Sequence, residues 1–264
     1  MALIYSAYSA SYYDKLNVLY VSVELTEETV KRRFDACVTG TRINDVRKQA
    51  DKVRNLYLNS VTFQALAKRI RIVELPIGNT TVNDIDRLMM KLHKKYGFKV
   101  DVVVVDYADN LKALKKTDAY RHEVGSVYKD LVELARNRKV VVWTASQMND
   151  QGTIESEKEN GAISPRHANE SRQKVHLAHL VIGIARTQKE KDMGIARLVL
   201  VKNRLGGGDG HVIRIFPDFA KARLYTGKEE ELSMLDPDQP IEGLDHNVAK
   251  EGKDEIELYS ADVD

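Results

Sequence analysis

The sequence predicts an α/β fold: a mostly parallel sheet flanked by helices, with antiparallel strands at its edge. Two observations carry that expectation. Val100-Asp101-Val102-Val103-Val104-Val105-Asp106-Tyr107 is a β-branched, apolar run that ends abruptly in a carboxylate. It is too short to cross a membrane and too uniformly apolar for a half-exposed strand, so it reads as a strand covered by helices on both faces. Around it, short apolar runs alternate with helical segments. The last runs then follow one another in hairpin-like succession.

Taken in order, residues 2–14 read as a helix of interleaved small residues and tyrosines. Val18 to Val23 is a buried strand ending at Glu24. Thr26 caps the next helix, with Glu27 and Glu28 in the dipole-favoured first turn and Thr29 three residues on. Residues 43–70 read as helical and rich in Lys and Arg, and 71–75 as a short strand closed by Pro76 and Gly78. Thr81 or Asn83 caps a helix through Tyr96 that Gly97 stops. After the strand at 100–105 come a lysine-bearing loop, a helix over 121–137 and a strand at 140–145 that leads into Ser146-Gln147. Residues 149–172 are polar, lack hydrophobic periodicity and read as a mobile segment. Strands are expected at 179–185 and 196–201. A glycine-rich turn at 206–210 and a final strand from His211 to Phe216 follow. There is no internal repeat.

Composition bounds the function. With 264 residues, 43% hydrophobic and 30% charged, the chain can form one large α/β domain and a tail. It has no 18-residue apolar stretch to cross a membrane and no signal-peptide start. Its single cysteine, Cys37, excludes an intramolecular disulfide and a cysteine-built zinc site, which points to a cytoplasmic compartment. The formal charge of +2 hides a division. Residues 226–264 carry 13 Asp and Glu against 3 Lys, whereas residues 1–225 carry 38 Lys and Arg against 26 Asp and Glu. A basic body (1–225) suits a polyanion such as nucleic acid, and the acidic tail (226–264) reads as disordered.

Ligands of open parallel sheets sit outside the carboxyl ends of the strands, so Asp106 projects where a nucleotide's magnesium would be held. Taken alone, Asp106 is equally the cap of an ordinary strand-to-loop turn. Two further polar groups end predicted strands: Glu24 in Ser22-Val23-Glu24-Leu25 and Gln147 in Ala145-Ser146-Gln147-Met148-Asn149. Lys202-Asn203-Arg204 then precedes the glycine-rich turn. Lys202 and Arg204 alternate along an extended strand and so point to one side.

This set, in this order, resembles the RecA-like P-loop NTPase domain of DnaB-type replicative helicases, over roughly residues 2–224. In that family the corresponding strands end in Ser-Leu-Glu-Met, Asp-Tyr (the Walker B end) and Ser-Gln-Leu-Asn, and Lys-x-Arg-x-Gly carries a basic pair that acts on the neighbouring subunit. The glycine-rich loops look most like phage-encoded members. The resemblance implies ATP and Mg²⁺ as cofactors. Glu24 would polarise the attacking water, Asp106 would hold Mg²⁺ through water, and Gln147 would contact the γ-phosphate. Lys202 and Arg204 would reach a neighbour's ATP in trans. It also implies a homo-hexamer, 5′-to-3′ movement on single-stranded and forked DNA, and a place in the cytoplasm (the host's, if phage-encoded). Primase, a helicase loader and a single-strand-binding protein become candidate partners.

The loops after the Walker B and Gln strands line the pore in this fold class. Lys112, Lys115, Lys116 and Arg121 fall in the first, and Arg166, Asn169, Arg172 and Lys174 in the second, as candidate DNA contacts. Here the sequence departs from the family: Asn169-Glu170-Ser171-Arg172 stands where Arg-Glu-Ser-Gly is usual, and Leu177-Ala178-His179 replaces an acidic Asp-Ala-Asp. The chain also has no GxxxxGK[ST] motif. By the family's spacing, that P-loop and the first strand before it are expected to end at or just before Met1. Two other readings stay open: another RecA-fold ATPase, recombinase or regulatory, and a degenerate, non-catalytic scaffold that binds DNA or a partner.

Overall fold

Alternate residues of the buried strands serve two different cores, and this divides the molecule into layers. In the computed structural model, which describes residues 1–114, 120–147, 154, 157, 172–208 and 210–226, the first strands pair in parallel. They are β1 (Val18–Ser22), β2 (Ile70–Glu74), β3 (Val102–Asp106) and β4 (Val141–Thr144), in the order β2-β1-β3-β4. Val18, Tyr20, Ile70, Ile72, Val102 and Val104 face one core. There they meet helices α1 (Ala2–Tyr12), α2 (Glu27–Thr39), α3 (Ala50–Asn59) and α4 (Val61–Arg69). The intervening Leu19, Val21, Val73, Val103 and Val105 face the other, against α5 (Val82–Tyr96) and α6 (Tyr120–Arg138). All five residues of β1 are buried, as are the four valines of β3. That explains why both strands read as unbroken apolar runs rather than alternating ones.

The helices form where spacing and caps agree. Thr26 caps α2 by accepting from the Thr29 N–H, and Gly40 ends it with φ 73°. A Cβ at Gly40 would make only ordinary contact with the Arg223 guanidinium, at 3.7 Å, so it is the left-handed backbone conformation that calls for glycine here. In α5, Val82, Ile85, Leu88, Met89 and Leu92 are buried at helical spacing, and Gly97 follows with φ 64°. The Asp84 carboxylate takes both the Thr81 N–H (2.9 Å) and the Thr81 hydroxyl (2.6 Å) at the start of α5.

After β4 come a short helix α7 (Arg172–Leu177), β5 (Leu180–Ala185), a second short helix α8 (Gln188–Asp192), β6 (Ala196–Asn203), β7 (Val212–Asp218) and β8 (Arg223–Tyr225). The four strands are antiparallel and hydrogen-bond in the order β5-β6-β7-β8, as a sheet of their own. Arg223 on β8 ties this sheet to the carboxyl end of α2 by donating to the Cys37 (2.6 Å) and Val38 (3.0 Å) carbonyls. Burial pushes the Cys37 thiol there up to about 12.

The α/β expectation is met, with corrections in detail. Residues 44–49 are turns, and the expected long helix is two, which meet at Ser60. Ser60 ends α3 and caps α4 by accepting from the Phe63 N–H. The chain does not finish at Phe216: β8 adds a last short strand. The helices α7 and α8 were not foreseen. Most of the polar 149–172 segment, and the tail beyond Thr226, lie outside the described residues. No helix among the described residues is long and apolar enough to cross a membrane.

Candidate active site

The register of the parallel strands brings three of the expected groups to one edge of the sheet. Ser22 pairs with Asp106 and Val105 with Thr144, so β1, β3 and β4 end together. Beyond β1, the Val23 N–H donates to the Asp106 carbonyl at 3.0 Å. The Ser22 hydroxyl accepts from the Leu25 N–H (3.1 Å) and donates to the Leu25 carbonyl (2.6 Å). This closes a turn with exposed Glu24 inside it. Beyond β4, the Thr144 hydroxyl donates to the Val105 carbonyl and accepts from the Ala108 N–H, each at 2.9 Å. That stitch joins the two strand ends just ahead of exposed Gln147.

Asp106 is the half-buried last residue of β3. Its Oδ2 accepts from the Tyr20 hydroxyl at 2.5 Å, and the peptide bond that follows Asp106 is cis. Burial, then the nearby Asp106 charge, push the Tyr20 phenol well above its ordinary range, so it stays a donor. The Asp106 Oδ1 takes no hydrogen bond from a described residue. Among the described residues no group of three or more His, Cys, Asp or Glu could hold a metal. A single carboxylate with an open oxygen fits Mg²⁺, which keeps several waters, and does not fit a cage of protein ligands. The start of α1 lies near: burial lowers the pKa of the Met1 amine, Arg33 lowers it further, and the Asp106 charge opposes both.

A second group of polar residues adjoins this edge. Asp109, in the single 3₁₀ turn after β3 (Ala108–Asn110), accepts from the Tyr128 hydroxyl at Oδ1 (2.7 Å). Its Oδ2 accepts from the Ser146 hydroxyl (3.0 Å) and from the Lys174 ammonium (3.1 Å). Lys174 also donates to the Ser146 Oγ at 2.5 Å, and its side chain is only 2% exposed. Burial and then the Asp109 charge push the Tyr128 phenol well up. Lys174 is therefore a correction: expected among the DNA contacts, it is buried in α7 with its charge spent on Asp109. A buried lysine without such a partner would lose its proton or destabilise the fold.

Lys202 is on β6 and Arg204 follows it, and both reach α7. Lys202 donates to the Val175 (2.7 Å) and His176 (2.8 Å) carbonyls, and Arg204 to the His176 carbonyl. Two cations on the last carbonyls of a helix suit its negative end. Between them, Asn203 organises the glycine turn. Its amide donates to the Gly206 and Gly207 carbonyls, and its oxygen accepts from the Leu205 N–H at 3.0 Å.

Of the remaining candidate DNA contacts, Lys112 is exposed, with its backbone N–H held by the Thr80 carbonyl at 2.8 Å. Arg121 falls in α6 and Arg172 opens α7. Lys115, Lys116, Arg166 and Asn169 lie outside the described residues. Sequence reasoning missed Tyr20, Asp109, Ser146 and Asn203. Only Ser146 and Asn203 carried a signal, each adjoining a residue already singled out.

A parallel sheet between helices, followed by antiparallel strands and with polar groups at the strand ends, is the fold of RecA-like helicase ATPase domains. Among solved structures, the ATPase domain of G40P superposes with a TM-score of 0.67 at 17% identity, covering 86% of this chain and 80% of that one. A structure of a DnaB-like replicative helicase and its interactions with primase gives 0.68 at 16% identity, covering 86% and 55%. The family described as the DnaB-like helicase C terminal domain matches residues 1–221, and the chain belongs to that family. A DnaB-like replicative helicase of Enterobacteria phage T4 is 25% identical over 149 residues, or 51% of this chain and 30% of that protein. The chain thus spans less than a third of the length of this curated relative.

Proposed function

We propose that the chain is the ATPase motor of a replicative DNA helicase, which couples ATP hydrolysis to movement along single-stranded DNA and to duplex unwinding. The observation that carries this reading is the convergence of Glu24, Asp106 and Gln147 at the carboxyl edge of the parallel sheet, where open α/β sheets bind their ligands. Family membership adds to it.

Phosphoryl transfer to water asks a protein mostly for positioning and for charge at the right points. Glu24, exposed beyond β1, takes the role of polarising the attacking water. Gln147, beyond β4, donates its amide to a γ-phosphate oxygen and loses that contact after hydrolysis. Mg²⁺, when bound, neutralises the phosphate oxygens, and Asp106 is the residue to hold it through water. Tyr20 keeps the Asp106 carboxylate in one orientation. Lys202 and Arg204 act on a neighbour's nucleotide, and an arginine supplied in this way is worth about 10³–10⁵ in rate. A homo-hexamer follows as the working form. The partners of the reading are single-stranded and forked DNA. Primase, a loader and a single-strand-binding protein are to be tested as further partners, and the compartment is the cytoplasm, the host's if the gene is a phage's.

The test is made on the full natural polypeptide. Glu24→Gln is expected to retain ATP binding and to lower turnover by about 10²–10⁴-fold, the usual worth of a positioned general base. Undiminished turnover would remove Glu24 from the mechanism.

A further inference from the structure

Helix α7 is six residues long and is held from both sides by polar ties, part-buried toward the parallel sheet and partly exposed toward the antiparallel one. Toward the parallel sheet, Lys174 reaches Asp109 and Ser146, which follow the ends of β3 and β4. Ser146 is bonded in the chain to Gln147. Toward the antiparallel sheet, the Val175 and His176 carbonyls are taken by Lys202, and the His176 carbonyl also by Arg204. One short helix therefore contacts both Ser146, the chain neighbour of the group that would sense a γ-phosphate, and the two cations that would leave for a neighbour. A helix this short has little stability of its own, so its position is set by these contacts.

We propose that Lys174 is a positioning residue: through Asp109 and Ser146 it fixes α7, and α7 in turn sets where Lys202 and Arg204 stand for the neighbouring subunit. The inference rests on the reading of Gln147 and Arg204 given above. In this arrangement the carbonyl end of α7 and the neighbour's nucleotide compete for the same two cations. Movement of Ser146 when Gln147 loses its phosphate shifts α7 through Lys174, and so changes the hold on Arg204. Two sites are then coupled by one element that both of them bias.

The experiment uses the full natural protein and the double variant Asp109→Asn/Lys174→Met, which removes both charges together and leaves no unpaired charge buried. Lys174→Met alone is carried alongside, and thermal unfolding establishes that each variant is folded. The double variant is expected to bind ATP as tightly as wild type and to lose kcat on the order of 10²-fold, the usual cost of a misplaced catalytic group. Combined with Arg204→Ala, it should lose no more than Arg204→Ala alone, because both changes remove one function. If Arg204→Ala lowers kcat and the Asp109/Lys174 change either leaves kcat intact or multiplies with it, the positioning role of Lys174 is wrong and the trans reading stands. If Arg204→Ala itself leaves kcat unchanged, the trans reading fails and the relay fails with it.

Discussion

Tyr20 is a buried phenol whose hydroxyl ends on Asp106, and this bond decides how the carboxylate is presented. Tyr20→Phe keeps the apolar packing and removes only the donor. Partners of a metal-holding group commonly matter by 10- to 100-fold in metal affinity. Tyr20→Phe is therefore expected to raise the Mg²⁺ concentration needed for half-maximal ATPase by about tenfold; an unaltered Mg²⁺ curve would mean that Asp106 needs no such support. At this scale the sequence was partly legible. Glu24, Asp106 and Gln147 stood out because apolar runs end abruptly at them. Lys174 was instead read as a DNA contact, because its neighbours include other cations and its pairing with Asp109 spans 65 residues. Burial of a single cation by a distant carboxylate leaves no local pattern to read.

The elements show the same division between local and distant causes. Thr26, Thr81, Gly40 and Gly97 bound α2 and α5 where capping chemistry requires, and these boundaries follow from neighbouring residues alone. Helix α7 and strand β8 do not, since both span less than two repeats of their hydrophobic period and are defined by what they touch. The split at Ser60 is intermediate: a capping residue is present, but lysines and arginines on both sides mimic one long helix. A prediction belongs here. The Thr81 hydroxyl, then the Thr81 N–H, hold the Asp84 carboxyl below its ordinary pKa. A lowered folded-state pKa stabilises above the unfolded value of 3.8 and is lost as pH falls through the folded one. Asp84→Ala should thus cost about 1 kcal/mol at pH 7, as measured by urea unfolding, and progressively less below pH 3.8. A cost that did not change with pH would show that the charge of Asp84 is not what secures α5.

At the scale of the molecule, two sheets carry two halves of the proposed chemistry. On the proposed reading, Glu24, Asp106 and Gln147 at the edge of the parallel sheet would serve a nucleotide there, and Lys202 and Arg204, at the end of β6, would serve one elsewhere. Charge is divided too, with a basic body and an acidic tail. The α/β class was legible because strands buried on both faces are written as continuous valine-rich runs. The separation of the antiparallel strands into their own sheet was not, because strand order depends on pairing rather than on pattern. The account rests most heavily on Arg204 serving a neighbour rather than its own subunit. The direct measurement is forked-DNA unwinding by the full natural protein mixed in increasing proportion with its Arg204→Ala variant. If Arg204 acts across subunits in a ring, unwinding falls more steeply than the wild-type fraction. A fall strictly in proportion to that fraction would contradict it.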